Sequence, residues 1–341
     1  MKNNPRRRTG SPSNLSALFL VPGELAGCIR RKGYLRLTPR AVIELAAPQT
    51  WSASVMPPLL AAALTIVWTG TLQILLFFSL LATSVCLQCA VNTLNDYSDF
   101  MAGVDRRETC EDPTDASIIY HEYEPVLAFV IGMGFILLGL LCGLYAILRA
   151  GPELLIFGAV GAAIVFLYTY GLLPLSYTPI GEALSGIAMG GVITIACVYA
   201  LTRGALSAAP AMLFAGRASI PLIITIGLIM LTNNTCDIEK DLESNRLTLP
   251  ARTGRPAAKK LHILLFSGAV VYASIFILIN FPNGLWLEPL LCAWLIPQEI
   301  RIIKNGLTSG TRIRSMSLAT GINIRLNAVY IAMILLPQVT I

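Results

Sequence analysis

Charged residues are scarce in this sequence of 341 residues. They make up 13% of it, whereas 55% of the residues are hydrophobic and the mean hydropathy is +0.69. A soluble domain carries about 25% charged residues. About half the usual fraction of charged residues is too little to cover a water-facing surface, so most of the surface must face lipid. The composition excludes an ordinary soluble domain and predicts an integral membrane protein.

Histidine is rarer still, with only His121 and His262 in the chain. Zinc and di-iron centres draw on histidine, so its scarcity argues against both. The eight cysteines are scattered, and the close pair Cys86 and Cys89 is best interpreted as packing residues. The net charge of +6 suits an anionic membrane surface and an anionic substrate, and it does not require nucleic acid as a partner.

Long apolar runs are what the sequence has in abundance. A helix that crosses a bilayer core of about 30 Å needs about 20 mostly apolar residues. We predict nine such spans, at 51–69, 71–92, 125–148, 152–170, 182–201, 210–232, 261–281, 284–298 and 323–341. The sequence therefore predicts an all-α, polytopic membrane bundle of about nine transmembrane helices, which forms one domain over residues 51–341.

The basic residues predict the orientation of this bundle. With the N-terminus in the cytoplasm, 22 of the 25 Lys and Arg lie on the cytoplasmic side, as the positive-inside rule requires. Residues 1–50 are basic and rich in Pro, Gly and Ser, and we interpret them as a cytoplasmic N-terminal segment. We expect the inner, cytoplasmic membrane of a cell, although this segment also has features of an organelle transit peptide.

Acidic residues are concentrated in two segments. Thirteen of the 19 Asp and Glu lie either between Asp96 and Glu124 or between Asp237 and Glu243. Four predicted spans separate the two segments, so both face the cytoplasm. Ordinary solvated loop acids would explain one such cluster but not two that match.

The first acidic segment follows the second span. Its candidate ligand-binding residues are Asn92, Asn95, Asp96, Asp99 and Asp105. Each helical residue turns by about 100°, so Asn92, Asp96 and Asp99 fall on one face of a helix. Gly103 can end that helix and let Asp105 turn back toward the same face.

The second acidic segment follows the sixth span and has the same design. Its candidates are Asn233, Asn234, Asp237 and Asp241. A spacing of four puts Asn233, Asp237 and Asp241 in one helical stripe. Arg246 and Arg252 follow closely, and we expect both to contact substrate because guanidinium groups suit phosphate oxygens. We interpret the remaining cations of this loop as charges that set the topology: Arg255, Lys259 and Lys260.

A divalent cation would resolve the crowding of these carboxylates, which repel one another and are costly to desolvate at a membrane boundary. Oxygen ligands without histidine favour Mg²⁺. Two facing Asp clusters with Mg²⁺ would hold a diphosphate and neutralise it as it leaves. We expect Asp96, Asp99, Asp237 and Asp241 to be the catalytic residues, and the metal ligands to be Asp96, Asp99, Asp105, Asp237 and Asp241.

At these residues the chain resembles the UbiA superfamily of intramembrane prenyltransferases. It is most similar to the branch that prenylates 1,4-dihydroxy-2-naphthoate in menaquinone biosynthesis. The first motif of that branch, Asn-Asp-Tyr-x-Asp-x-x-x-Gly-x-Asp, is matched from Asn95 to Asp105. The second, Asn-Asn-x-Arg-Asp-x-x-x-Asp, is matched from Asn233 to Asp241, but Cys236 replaces its arginine.

The resemblance covers residues 45–341 and implies a helical bundle with a central cavity under cytoplasmic cap loops. In such a bundle the Asp motifs hold Mg²⁺ and an isoprenyl diphosphate. The diphosphate ionises to an allylic cation, which an electron-rich aromatic acceptor attacks; with the naphthoate, the carboxyl group is lost. Tyr168 and Tyr170 are candidate walls that shield the cation, or equally interfacial tyrosines.

Two alternatives stay open at this point. The same fold could prenylate a different aromatic or quinone precursor, because the missing arginine at Cys236 weakens the acceptor assignment more than the reaction class. A cation-coupled membrane transporter is the alternative from another class. Transporter sites lie near the bilayer midplane, whereas both motifs here lie at the ends of spans on one side. No residue stands out as a general base, and Glu182 is the candidate we name.

Overall fold

The protein is described by a computed structural model over residues 38–102, 116–169, 174–203 and 207–339. This part of the chain is helical and contains no strand, which confirms the all-α prediction. We number its α-helices α1 Pro39–Leu45, α2 Ser52–Thr69, α3 Ile74–Ala102, α4 Ser117–His121, α5 Pro125–Ala150, α6 Leu154–Thr169, α7 Gly181–Gly186, α8 Ile193–Thr202, α9 Ala208–Ala218, α10 Ile220–Cys236, α11 Ile238–Glu243, α12 Leu249–Thr253, α13 Arg255–Asn280, α14 Glu288–Lys304 and α15 Arg312–Val339. A π-helical turn, Ile187–Val192, joins α7 and α8.

Six helical segments of the described chain are long and apolar enough to cross a membrane. They are Pro48–Thr69, Ile74–Met101, Pro125–Ala150, Gly181–Thr202, Arg255–Asn280 and Ser309–Leu336. Helices α9 and α10 form a seventh if this pair, bent by 45°, is one span. The other two predicted spans correspond to α6 and α14, which have only 16 and 17 residues. The predicted count of nine is therefore not confirmed, although each predicted span coincides with a helix.

The last helix begins earlier than the sequence analysis predicts. Helix α15 starts at Arg312, eleven residues before the predicted start at 323. Arg312 and Arg314, which precede the predicted span, are therefore part of this helix. Arg325, inside the predicted span, donates from Nη1 to Gln298 Oε1 on α14 at 2.7 Å. The apolar pattern does not reveal the first turns of α15 because Arg312 and Arg314 lower the local hydropathy.

The helices divide into an inner and an outer set. The span Pro48–Thr69 is 67% buried inside the protein, whereas Pro125–Ala150 is 17% buried. Large apolar side chains such as Leu140 and Leu148 on α5 are exposed, as expected of a surface that contacts lipid.

Two glycines let the π-helical segment lie against α10. A Cβ on Gly190 would come within 2.7 Å of the Ile223 nitrogen, and one on Gly186 would collide with the Ile223 carbonyl oxygen. Small residues of this kind allow close helix contacts in membranes. The contact brings the start of α7, which carries Glu182, beside the end of α10, which carries Asn234.

A second, smaller core attaches helix α1 to the bundle. Its buried members are Ala41, Leu45, Tyr97, Ile118, Tyr123 and Ala128. Thr93 on α3 also donates to the Leu45 carbonyl oxygen at 3.2 Å. These contacts join residues 38–50 to the bundle, and the assignment of residues 1–50 to a basic cytoplasmic N-terminal segment stays a prediction. Residues 1–37 lie outside the described part of the chain.

Candidate active site

The first motif lies on an uninterrupted helix. Because α3 is regular from Ile74 to Ala102, Asn92, Asp96 and Asp99 share one face, as the spacing predicts. Asn95, Asp96 and Asp99 are half-buried. Asp105 and Gly103 lie outside the described residues, so their placement stays a prediction.

Asn92 links the motif helix to the turn before α2. Its Nδ2 donates to the Ala46 carbonyl oxygen at 3.1 Å and to Thr50 Oγ1 at 2.9 Å, and its Oδ1 accepts from Gln88 at 3.1 Å. All three bonds are to protein groups. Asn92, which the sequence analysis assigned to substrate binding, thus fixes the position of α3.

The second motif lies where a helix breaks. Helix α10 ends at Cys236, Asp237 leaves the helical conformation, and α11 follows at once. Asp241 on α11 is 2% exposed, and its Oδ2 accepts from Thr248 Oγ1 at 2.9 Å. The Arg246 backbone nitrogen donates to the Asp241 carbonyl oxygen at 2.7 Å. The chain after the motif therefore folds back over Asp241.

Arg246 joins the two motifs. Its Nε lies 3.5 Å from Asp241 Oδ1, and its guanidinium lies 5.1 Å from the Tyr177 ring centre. Burial alone would lower the pKa of Arg246, but the negative charges of Asp241 and Asp99 raise it, and the net direction is upward. Tyr168, at the end of α6, is also close enough to act on this group. One carboxylate from each motif thus acts electrostatically on the same cation.

Glu182 and Asn234 form a buried pair beside this cluster. Glu182 is 5% exposed, and its Oε1 accepts from Asn234 Nδ2 at 2.9 Å. Its Oε2 is also buried and makes no hydrogen bond within the described part of the chain. A buried oxygen without a hydrogen bond is costly, which marks it as a place where a ligand group can bind.

Arg312 is a site residue that the sequence analysis missed. Its Nε donates to Asp237 Oδ2 at 3.2 Å, and its Nη2 donates to Asn233 Oδ1 at 2.7 Å. From the sequence alone, Arg312 is one of the basic residues that set the topology. A signal was available, because the substitution at Cys236 leaves the motif without its own arginine.

Arg255 is also held by protein groups. Two of its nitrogens donate to Glu239 at 2.9 and 3.1 Å, and a third donates to the Leu307 carbonyl oxygen at 2.7 Å. This hydrogen-bonded pair lowers the pKa of Glu239. Arg255 therefore connects α13 to α11 and to the turn before α15, in addition to any role in topology.

Some predicted site residues are not brought to the cluster. Arg252 is exposed at the end of α12, and its side chain makes no hydrogen bond or ion pair with another residue that the structure describes. Tyr170 lies outside the described residues. The central cavity also stays a prediction, because a described cavity, of about 490 Å³, lies elsewhere, between α13 and α14.

A buried polar chain supports the second motif from behind. Thr232 Oγ1 donates to the Leu228 carbonyl oxygen and lies 3.0 Å from His262 Nε2. On the other side of the ring, His262 Nδ1 lies 2.8 Å from Glu299 Oε1. These buried contacts tie α10, α13 and α14 together.

The donor set fits Mg²⁺ that arrives with a diphosphate. Within the residues described, no three His, Cys, Asp or Glu side chains form a ready-made metal site. Mg²⁺ is commonly bound through one or two carboxylates, with water and substrate phosphates completing its shell. Asp99 and Asp241 offer such oxygens, and the buried Arg246 Nε, 3.5 Å from Asp241 Oδ1, makes no hydrogen bond to the part of the chain that the structure describes. The two carboxylates suit Mg²⁺, and the guanidinium suits the diphosphate that accompanies it.

Comparison with known proteins identifies the family. The model of the UbiA prenyltransferase family matches residues 55–320. The chain belongs to this family. It is therefore a membrane-bound prenyltransferase, which removes the transporter alternative.

Related sequences and structures agree with this assignment. The chain is 32% identical to the 1,4-dihydroxy-2-naphthoate octaprenyltransferase of Bacillus subtilis (strain 168), over 67% of this chain and 71% of that protein. It is 30% identical to the UbiA prenyltransferase domain-containing protein 1 homolog of Drosophila melanogaster, over 75% and 68%. It shares the fold of a UbiA homolog from Archaeoglobus fulgidus bound to GPP and Mg²⁺, with a TM-score of 0.58 and 14% identity, over 88% of this chain and 100% of that one.

Proposed function

We propose that this prenyltransferase moves a prenyl chain from an isoprenyl diphosphate to 1,4-dihydroxy-2-naphthoate in a Mg²⁺-dependent reaction, with loss of the naphthoate carboxyl group. The observation that carries the proposal is that one carboxylate from each motif acts on the guanidinium of Arg246: Asp241 lies 3.5 Å from its Nε, and the charge of Asp99 raises its pKa. The 32% identity to a naphthoate octaprenyltransferase supports the choice of acceptor.

The two motifs would hold the donor. Asp96, Asp99, Asp237 and Asp241 would bind Mg²⁺, together with Asp105, which lies outside the described residues. Bound there, the ion supplies positive charge that neutralises the departing diphosphate. Arg246 binds diphosphate oxygens through its fork of N–H donors. The amides of Asn95 and Asn233 lie on the same helix faces and donate to the same anion.

The bond that breaks joins the prenyl carbon to the diphosphate oxygen, and its electron pair leaves with the diphosphate. The aromatic ring supplies the pair for the new carbon–carbon bond. If the prenyl chain takes the ring position that carried the carboxylate, CO₂ departs and returns its bonding pair to the ring. No ring proton is then lost, so this reaction needs no general base. The Tyr168 and Tyr177 rings, both near Arg246, are suited to shield the allylic cation from water.

Glu182 would contact the acceptor. Its buried Oε2 can accept a hydrogen bond from a phenolic hydroxyl, while Asn234 holds the other oxygen. A hydroxybenzoate-like acceptor that keeps its carboxyl group would instead lose a ring proton, and Glu182 is then the described group placed to receive it. Because Cys236 replaces the arginine of the family motif, a hydroxybenzoate-like acceptor is the alternative to the naphthoate.

We propose a cytoplasmic site. The basic residues of the chain favour an N-terminus and motif loops on the cytoplasmic side. Residues 1–50 then form a basic cytoplasmic segment whose last part is folded onto the bundle. A protease that removes an N-terminal tag from intact cells would contradict this orientation.

The experiment supplies membranes containing the protein with Mg²⁺, a labelled long-chain prenyl diphosphate and either 1,4-dihydroxy-2-naphthoate or 4-hydroxybenzoate. We expect a decarboxylated prenylated naphthalenediol, identified by mass, that Asp241→Asn abolishes. Glu243→Gln, an exposed acid on the same helix, is the matched control and should retain activity. Prenylated hydroxybenzoate alone would favour the other acceptor. If neither product forms and no diphosphate is released, although the protein is intact, the proposal is overturned.

A further inference from the structure

Arg312 approaches the second motif from a different helix. It is the first residue of α15, and its side chain is 11% exposed. Two of its nitrogens contact two motif residues four positions apart, Asp237 Oδ2 at 3.2 Å and Asn233 Oδ1 at 2.7 Å. A single guanidinium therefore holds the first amide and the first carboxylate of the motif.

The position of Arg312 is unfavourable for helix α15 itself. The N-terminus of a helix carries partial positive charge, so a cation in the first turn is normally disfavoured. Arg314 lies two residues later, and its side chain is exposed to solvent. Arg312 instead points its guanidinium at Asp237, whose side chain is 12% exposed. The contact with Asp237, rather than any preference of α15, accounts for this arginine.

Cys236 explains why the cation comes from α15. Its side chain is fully buried and belongs to the main hydrophobic core. The motif therefore supplies no cation of its own at the residue before Asp237. Arg312 provides a guanidinium there through space, from 75 residues further along the chain.

We propose that Arg312 is a ligand-responsive counter-charge of the second motif. It holds Asp237 and Asn233 in place in the ligand-free protein, and it transfers its hydrogen bonds to the diphosphate when a divalent cation binds Asp237. The exchange follows from charge: a guanidinium and a divalent cation repel each other and compete for one carboxylate, whereas the arriving diphosphate attracts both. This inference rests on the proposed function, since it assumes that Asp237 binds the metal.

The proposal makes two predictions of opposite sign for Arg312→Gln. Without the competing guanidinium, the ligand-free protein should bind Mn²⁺, used as a spectroscopic probe for Mg²⁺, about tenfold more tightly. Because glutamine cannot form the charged hydrogen bonds of a guanidinium, a prenyl thiolodiphosphate that cannot ionise should bind the variant about tenfold more weakly in the presence of Mg²⁺. Both affinities are measured on purified protein by electron paramagnetic resonance and calorimetry, so neither depends on turnover.

The control is Arg314→Gln, which removes the same charge from the same turn of α15 and should leave both affinities unchanged. If Arg312→Gln weakens both ligands together, the arginine is merely structural and the proposal is overturned. If Mn²⁺ affinity rises equally in both variants, only the general charge matters, and the proposal is again overturned. If Arg312→Gln does not fold, Arg312→Lys is used instead, because it keeps the charge. The proposal is supported if this variant binds Mn²⁺ as tightly as the wild type but binds the thiolodiphosphate severalfold more weakly. Unchanged binding of the thiolodiphosphate contradicts the proposal.

The wild-type protein separates this inference from the proposed function. If the wild type binds Mn²⁺ specifically and Asp237→Asn abolishes this binding, the assignment of Asp237 as a metal ligand is supported. If the wild type binds neither Mn²⁺ nor the thiolodiphosphate, the proposed function fails and the inference fails with it. If the wild type binds both and Arg312→Gln changes neither, the inference alone fails.

Discussion

The two acidic motifs look alike in sequence but are built differently. The first lies on α3, a single helix of 29 residues that continues past all its described polar side chains. The second spans the break between α10 and α11 at Asp237. A similar pattern of Asn and Asp therefore lies on a continuous helix in the first motif and across a helix break in the second.

Their supports differ as well. In the second motif, Asp241 is bonded to Thr248, Asp237 to Arg312 and Asn234 to Glu182. In the first motif, Asn92 donates to Thr50 and Tyr97 packs against Phe129, and these contacts fasten α3 to its neighbours. The second motif is therefore held by side-chain bonds across a helix break, whereas the first lies on a continuous helix.

The largest expected effect comes from neutralising the buried acid of the second motif. Asp241→Asn should lower turnover by about 1000-fold and destabilise the protein by about 3 kcal/mol, because it removes the carboxylate nearest the buried guanidinium of Arg246. Asp99→Asn should lower turnover by about 100-fold with a smaller loss of stability, since Asp99 is half-buried. Thermal unfolding and initial rates on the purified proteins check both. Equal destabilisation would remove the distinction between the motifs.

The next effect separates two arginines of one loop. Arg246→Ala should lower kcat/KM for the prenyl diphosphate by about 100-fold, because this group faces carboxylates of both motifs. Arg252→Ala should change it by less than about threefold, since Arg252 is exposed. Donor titrations at saturating acceptor measure the difference. A larger loss for Arg252→Ala would restore the role that the sequence analysis gave it.

A smaller effect tests how α3 is anchored. Asn92→Ala removes hydrogen bonds to Ala46 and Thr50 and should destabilise the protein by about 2 kcal/mol. Turnover should fall by about tenfold while the KM for the donor changes little, because α3 shifts without losing a ligand group. A variant with normal stability and a strongly raised KM would show that Asn92 binds substrate directly.

The smallest effect concerns the attachment of α1 to the bundle. Hydrogen bonds from Tyr123 and Arg40 lower the pKa of Glu44, and burial, reinforced by the contact with Glu44, raises the pKa of Tyr123 to about 12. The stability that Glu44 contributes is therefore complete above its ordinary pKa of about 4.3 and lost as the pH falls through its lowered folded value. The protection of amides in residues 39–46, measured against the exchange rate of the unfolded chain at the same pH, should fall severalfold below about pH 4, and Glu44→Gln should show that lower protection at neutral pH. Unchanged exchange in the variant would contradict this attachment.

Much of the fold and part of the site could be predicted from the sequence. Apolar runs locate every described long helix because lipid contact demands them, and a spacing of three and four places Asn92, Asp96 and Asp99 on one face. The family follows from the paired motifs. The start of α15 was missed because Arg312 and Arg314 interrupt the apolar pattern that marks a span.

The contacts made through space could not be predicted in the same way. Nothing in the spacing of Arg312 indicates that it reaches Asp237, 75 residues earlier. Arg246 and Arg252 look equivalent in sequence, but only Arg246 is folded back over Asp241. The role of Asn92 in anchoring α3 likewise depends on Ala46 and Thr50, whose approach is a property of the assembled bundle.

An experimental structure with Mg²⁺ and a prenyl thiolodiphosphate would test directly whether the two motifs form one site. We expect the diphosphate to lie between α3 and α11, with Asp99 and Asp241 on its metal ions and Arg246 and Arg312 on its oxygens. A diphosphate bound away from Arg246, or held by one motif alone, would contradict the claim that the two motifs form one site.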